Sequence, residues 1–78
     1  MHITHIELSD RFLDPVDRSD CAQVWFHSDN QVTQVQAHAK RAAPMPEFVR
    51  DAIRQLKRMP EIRSGAEVLS FDPSCAVH

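Results

Sequence analysis

The chain has 78 residues, 42% hydrophobic and 26% charged, a globular rather than a disordered balance, least so in Ser9 to Asp20, that allows one small domain whose core is limited by its size. A net charge of −2 excludes a chain that is basic throughout, yet the charge is polarised: residues 1–39 hold two basic against six acidic side chains, residues 40–63 seven against three. Two cysteines are too few to staple a secreted mini-protein, and Met1 to Glu7 has neither a basic start nor a long apolar run, so a cytoplasmic protein without a membrane span is expected.

His2 to Leu8 alternates weakly, with Thr4, Ile6 and Leu8 on one side, and reads as a first strand. Alternation then sends His2 and His5, three apart, to opposite faces, where they cannot easily share a metal. Ser9 to Asp20 contains four aspartates and Pro15 and is expected as a long acidic loop. Its Phe12, Leu13 and Val16 are available to tuck it against the core, and Phe12 or Leu13 to cover Trp25.

Cys21 to Ala39 carries the strongest local pattern, a β-hairpin. Ala22 to His27 and Val32 to Ala39 are rich in β-branched and aromatic residues, and Ser28-Asp29-Asn30-Gln31 between them is turn chemistry. With Asp29 and Asn30 at the centre of the turn, Phe26 faces Thr33, Val24 faces Val35 and Ala22 faces Ala37 on one side. The other side pairs Trp25 with Gln34, Gln23 with Gln36, His27 with Val32 and Cys21 with His38. A slip of one residue would destroy this sorting in both strands, which is why the register is strongly specified.

After the connector Lys40 to Pro46, the residues Phe48, Val49, Ala52, Ile53, Leu56 and Met59 recur at helical spacing, and Arg50, Asp51, Arg54, Lys57 and Arg58 fill the remaining arc. An amphipathic helix beginning near Pro46 and stopped by Pro60 is expected. Full burial of its stripe would contribute on the order of 10 kcal/mol before entropic costs. Glu61 to Ser64 reads as a short turn punctuated by Gly65, and Ala66 to Phe71 as a further strand ending at Asp72-Pro73. The expected architecture is α+β: a small three- to four-stranded, mainly antiparallel sheet in the order β-β-β-α-β, with one helix packed on one face. It forms a single domain, residues 1–78, with 73–78 as a flexible tail.

Four zinc donors can be named, Cys21 and His38 across the hairpin and Cys75 and His78 in the tail. No carboxylate supports them from nearby in the sequence, the histidines are not expected to converge, and neither a metal nor another cofactor is expected. Catalysis finds little support: Gly65 is the single glycine, so no phosphate-binding loop exists, and a Cys21–His38 dyad lacks a third, orienting group. No small-molecule substrate is evident. Arg50, Arg54 and Arg58 share a stripe with Lys57 beside them, which could track phosphates, although Glu47 and Asp51 interrupt it. The side of the hairpin away from the helix sets Trp25 among Gln23, His27, Val32, Gln34 and Gln36, an aromatic anchor in a polar rim. These features point to a non-enzymatic protein-binding module, in the simplest case a homodimer, with a nucleic-acid-associated role for the basic helix face as the alternative.

Overall fold

In the computed structural model, which describes residues 1–78, the elements follow as β1 (His2–Leu8), β2 (Phe12–Leu13), β3 (Asp20–Ser28), β4 (Val32–Ala39), α1 (Met45–Leu56), α2 (Pro60–Arg63) and β5 (Ser70–Val77). The strands form one mixed, mostly antiparallel sheet in the order β4-β3-β1-β5, and β2 continues β1 along the same edge of β3. The α+β architecture with one main helix on one face is the expected one.

The β3–β4 ladder has the expected register from Ala22↔Ala37 to His27↔Val32, closed by Ser28 N–H donating to the Gln31 carbonyl at 2.9 Å. Ala22, Val24, Phe26 and Ala37 therefore meet Phe48, Ala52 and Leu56 of α1 in a fully buried cluster completed by Ile3 and Ile6. α1 lies over β4 and, to a lesser extent, β3. It also seals the outer edge of β4: Asp51 accepts a hydrogen bond from His38 N–H at 2.9 Å, and Gln55 Nε2 donates to the Gln36 carbonyl at 2.7 Å. Backbone groups that would otherwise invite another strand are thereby used. Met59 is extended, with ψ 140°, because it precedes Pro60, and Pro60 opens a second short helix rather than only ending the first.

The structure corrects the flanks. Ile3, not Thr4, joins Ile6 in the core, because a bulge between Ile3 and His5 inserts one residue opposite β3 and reverses the alternation. With Ile3 and Ile6 both facing the helix, their neighbours His2 and His5 share the other face, contrary to strict alternation. The acidic loop remains mostly irregular but contains the two-residue strand β2 and runs along β3. Ser9 exchanges backbone and hydroxyl hydrogen bonds with Gln23, and Phe12 pairs with Cys21 after a one-residue offset. A tight turn then uses Asp14 and Asp17 as local acceptors for the N–H groups of Val16 and Ser19. Phe12, Leu13 and Val16 stay 39%, 57% and 90% exposed, so they do not tuck into the core. The last strand is Ser70–Val77 rather than 66–71, and most of the expected flexible tail is thus strand, paired parallel to β1. Between Phe71 and Ala76 the ladder skips while β1 advances two residues, which accommodates Pro73 in an edge strand.

Candidate functional site on the open sheet face

The face turned away from α1 is built by strict alternation along β3 and β4 and by the bulged β1. It presents His2, His5, Glu7, Cys21, Gln23, Trp25, His27, Val32, Gln34, Gln36 and His38. Glu7 is the one carboxylate in this set and there is no lysine or arginine, in a chain where a quarter of the residues are charged. The glutamines satisfy one another: Gln34 Nε2 donates to Gln23 Oε1 at 2.8 Å, and Gln23 Nε2 to Gln36 Oε1 at 3.3 Å. Gln36 Nε2 reaches Cys21 Sγ at 3.7 Å. This chain of amides crosses the hairpin as a flat ladder beside Trp25, which is half-buried. β2 does not cover the indole, because Phe12 is seated opposite Cys21, about 13 Å along β3 from Trp25.

At one end of this face lies the expected Cys21–His38 pair, with Sγ 3.4 Å from Nδ1. The sequence reading omitted the groups that the turn 14–19 brings to it. Asp14 comes within ligand distance of both, and Ser19 Oγ stands 3.9 Å from Cys21 Sγ and 3.4 Å from His38 Nδ1. Cys21 is fully buried by these neighbours, and its sulfur is supplied with partners from the protein itself. The other half of the four-donor set is elsewhere. Cys75 is on β5 and His78 directly follows it, at the opposite edge of the sheet from His38. Cys75 packs toward the core side, where burial and then Asp72 push its thiol above the ordinary value. Both cysteines are free.

At the other end the histidines converge, which the sequence reading did not anticipate. Because β1 pairs directly with β3, His5 stands opposite His27, and the two rings stack with centroids 3.9 Å apart and planes 12° from parallel. Glu7, two residues from His5 on the same face, reaches both: its Oε1 is 3.6 Å from His5 Nε2 and 2.9 Å from His27 Nε2. His78 stands edge-on to His5 with ring centroids 6.3 Å apart. The legible signal was His5-x-Glu7, a spacing that puts two donors on one face of any strand. The third donor required knowing which strand fills the free edge of β3. His2 takes no part in this cluster: it contacts Ser70 Oγ at 2.9 Å and Asp72 at 3.7 Å.

The basic stripe exists on α1, where Arg50, Arg54 and Lys57 line a shallow depression with Ile53. Two of its arginines are already engaged on their own helix, Arg50 with Glu47 at 2.8 Å and Arg54 with Asp51 at 3.4 Å. Arg58 lies beyond the end of α1 and outside that depression. The surface depression nearest the Cys21 site reaches only its His38, runs along the β4 edge to Lys40, Glu47 and Arg54, and is open rather than cleft-like.

No helix is long and apolar enough to cross a membrane. No protein-family model matches the chain, and no curated protein and no solved structure matches it either.

Proposed function

We propose that this chain is a small non-enzymatic protein-binding module that self-associates through the open face of its sheet, with Trp25 as the anchor. The observation that carries the reading is the composition of that face: an indole, several imidazoles and an amide ladder, with no lysine or arginine among its residues from β1, β3 and β4, Glu7 as the one carboxylate among them, and Asp14 and Asp72 at its margins. Protein interfaces are depleted in charge and enriched in aromatic side chains in the same way. Glutamine is both donor and acceptor, so the face is complementary to a copy of itself across a two-fold axis.

Four strands at about 4.8 Å and about eight residues at about 3.3 Å make a face of about 500 Å². Two copies would bury about 1,000 Å², a size typical of transient rather than permanent association. The two free cysteines fit a reducing, cytoplasmic setting. The nucleic-acid reading has weaker support, since Glu47 and Asp51 already neutralise two of the arginines that it needs.

Sedimentation velocity over a concentration series tests this. A reversible monomer–dimer equilibrium is expected, with a shift of Trp25 emission on dilution and a loss of the dimer in Gln36→Lys, which sets an unpaired charge in the amide ladder that each copy buries. A strict monomer with concentration-independent emission would refute it.

A further inference from the structure

We propose that His5, Glu7 and His27 form a binding site for a divalent transition-metal ion of the zinc class. The inference does not depend on self-association.

Hydrogen-bond bookkeeping starts the argument. Thr4 Oγ1 donates to the His27 carbonyl at 3.1 Å, so what it offers His5 Nδ1, 3.4 Å away, is a lone pair. His5 is then the donor through Nδ1, the arrangement that orients a metal-ligating imidazole and leaves its Nε2 lone pair free. In that tautomer the lone pair faces Glu7 Oε1 at 3.6 Å, so two acceptors face each other and a cation between them would satisfy both. On the other ring, His27 Nε2 is out of reach of solvent and has no hydrogen-bond partner, although Glu7 Oε1 is only 2.9 Å away. The nitrogen therefore does not aim at the oxygen. In a metal site each donor aims at the ion, not at another donor. With the two ring planes 12° from parallel and their centroids 3.9 Å apart, binding requires one imidazole to turn about its Cβ–Cγ bond so that both Nε2 lone pairs meet the ion.

The spacing fits the same chemistry. Two donors bound to a tetrahedral zinc at about 2.05 Å lie about 3.3 Å apart. The observed 2.9 and 3.6 Å bracket that value, and all three donor atoms fall within 4.8 Å of one another. A proton can join only one donor pair at a time, whereas one cation satisfies all three. Two imidazoles and a carboxylate are a donor set that zinc accepts, with the fourth position left to solvent. The Cys21–His38–Asp14 group is a poorer candidate because its sulfur is already buried among protein partners.

The test is titration of the chelator-stripped full-length chain with zinc chloride, read by calorimetry and by the shift of the thermal midpoint. One zinc per chain is expected, with a rise in midpoint. Glu7→Gln, which keeps the shape of the side chain, and His27→Ala should each weaken binding by at least about tenfold. Cys21→Ala and His38→Ala should leave it unchanged. Circular dichroism of the metal-free variants separates a lost ligand from a lost fold, and should His27→Ala fail to fold, Glu7→Gln decides. Substitution by cobalt(II) should give a spectrum without a thiolate charge-transfer band. Absence of zinc binding would overturn the proposal. So would binding that survives Glu7→Gln, or that is lost in Cys21→Ala with a thiolate band present.

Discussion

The two faces of the β3–β4 hairpin share a backbone and differ in almost every other respect. On the helix side, Ala22, Val24, Phe26 and Ala37 are fully buried in one apolar cluster with Ile3 and Ile6 of β1 and Phe48, Ala52 and Leu56 of α1. On the open side, Gln23, Trp25, His27 and Gln36 are only partly buried, and the amides there bond to one another. One face holds the fold together, and the other has side chains whose chemistry the fold does not need. Adjacent residues of one strand, Trp25 and Phe26, thus belong to different functions of the molecule, which makes them the sharpest pair with which to test the division.

The largest expected effect follows directly. Phe26→Ala removes a ring with no solvent exposure from the middle of the core and should cost about 3–5 kcal/mol in urea unfolding. For a domain of this size such a loss approaches the whole net stability. Trp25→Ala, one residue away, should cost about 1–2 kcal/mol, because its indole is only partly withdrawn from water. If the two losses were equal, the open face would be structural and the division wrong. A smaller effect is expected where the faces meet at the β4 edge. Asp51→Ala removes the acceptor of the His38 N–H and a partner of Gln55, and should cost about 1–2 kcal/mol. Hydrogen exchange should show the loss of protection at the His38 amide while the amides of β1 stay protected.

The same division explains what was legible in the sequence. The hairpin and its register were readable because both strands sort apolar from polar residues in one alignment, and that alignment also assigned Trp25 to the open face. The helix was readable from Phe48 to Leu56 because a period of 3.6 is local information. β1 was misread at Ile3 and Thr4, since a bulge is fixed by what pairs on either side and leaves no mark in a short alternating run. β5 was placed several residues early, because Pro73 argues against a strand unless an edge position and a skipped ladder accommodate it. The Cys21–His38 pair followed from the hairpin alone. The His5–Glu7–His27 cluster needed the pairing of β1 with β3, a contact between distant parts of the chain that no local pattern specifies.

The smallest expected effect concerns two turns with the same chemistry in different places. In Asp17-Arg18-Ser19 and Asp72-Pro73-Ser74 the serine hydroxyl and N–H both donate to the aspartate, at 2.7 and 2.9 Å in the first and 2.5 and 2.8 Å in the second. These bonds hold both carboxyls below the ordinary range, with a smaller assist from His38 on Asp17 and from His2 on Asp72. A carboxyl held below its unfolded value adds stability that is present above the ordinary carboxylate range and is lost as pH falls through the depressed value. Both groups are open to solvent, so the effect is small, and its location is what matters. Asp72 pins the skipped stretch of β5 and so bears on the sheet edge, whereas Asp17 pins only the turn 14–19 beside His38. Asp72→Asn should therefore flatten the fall of the urea midpoint between pH 6 and pH 3 and reduce protection in β5 at neutral pH. Asp17→Asn should flatten the same fall but leave β5 protection intact, and equal loss of protection in both variants would show that the acid sensitivity belongs to the domain as a whole and not to its edge.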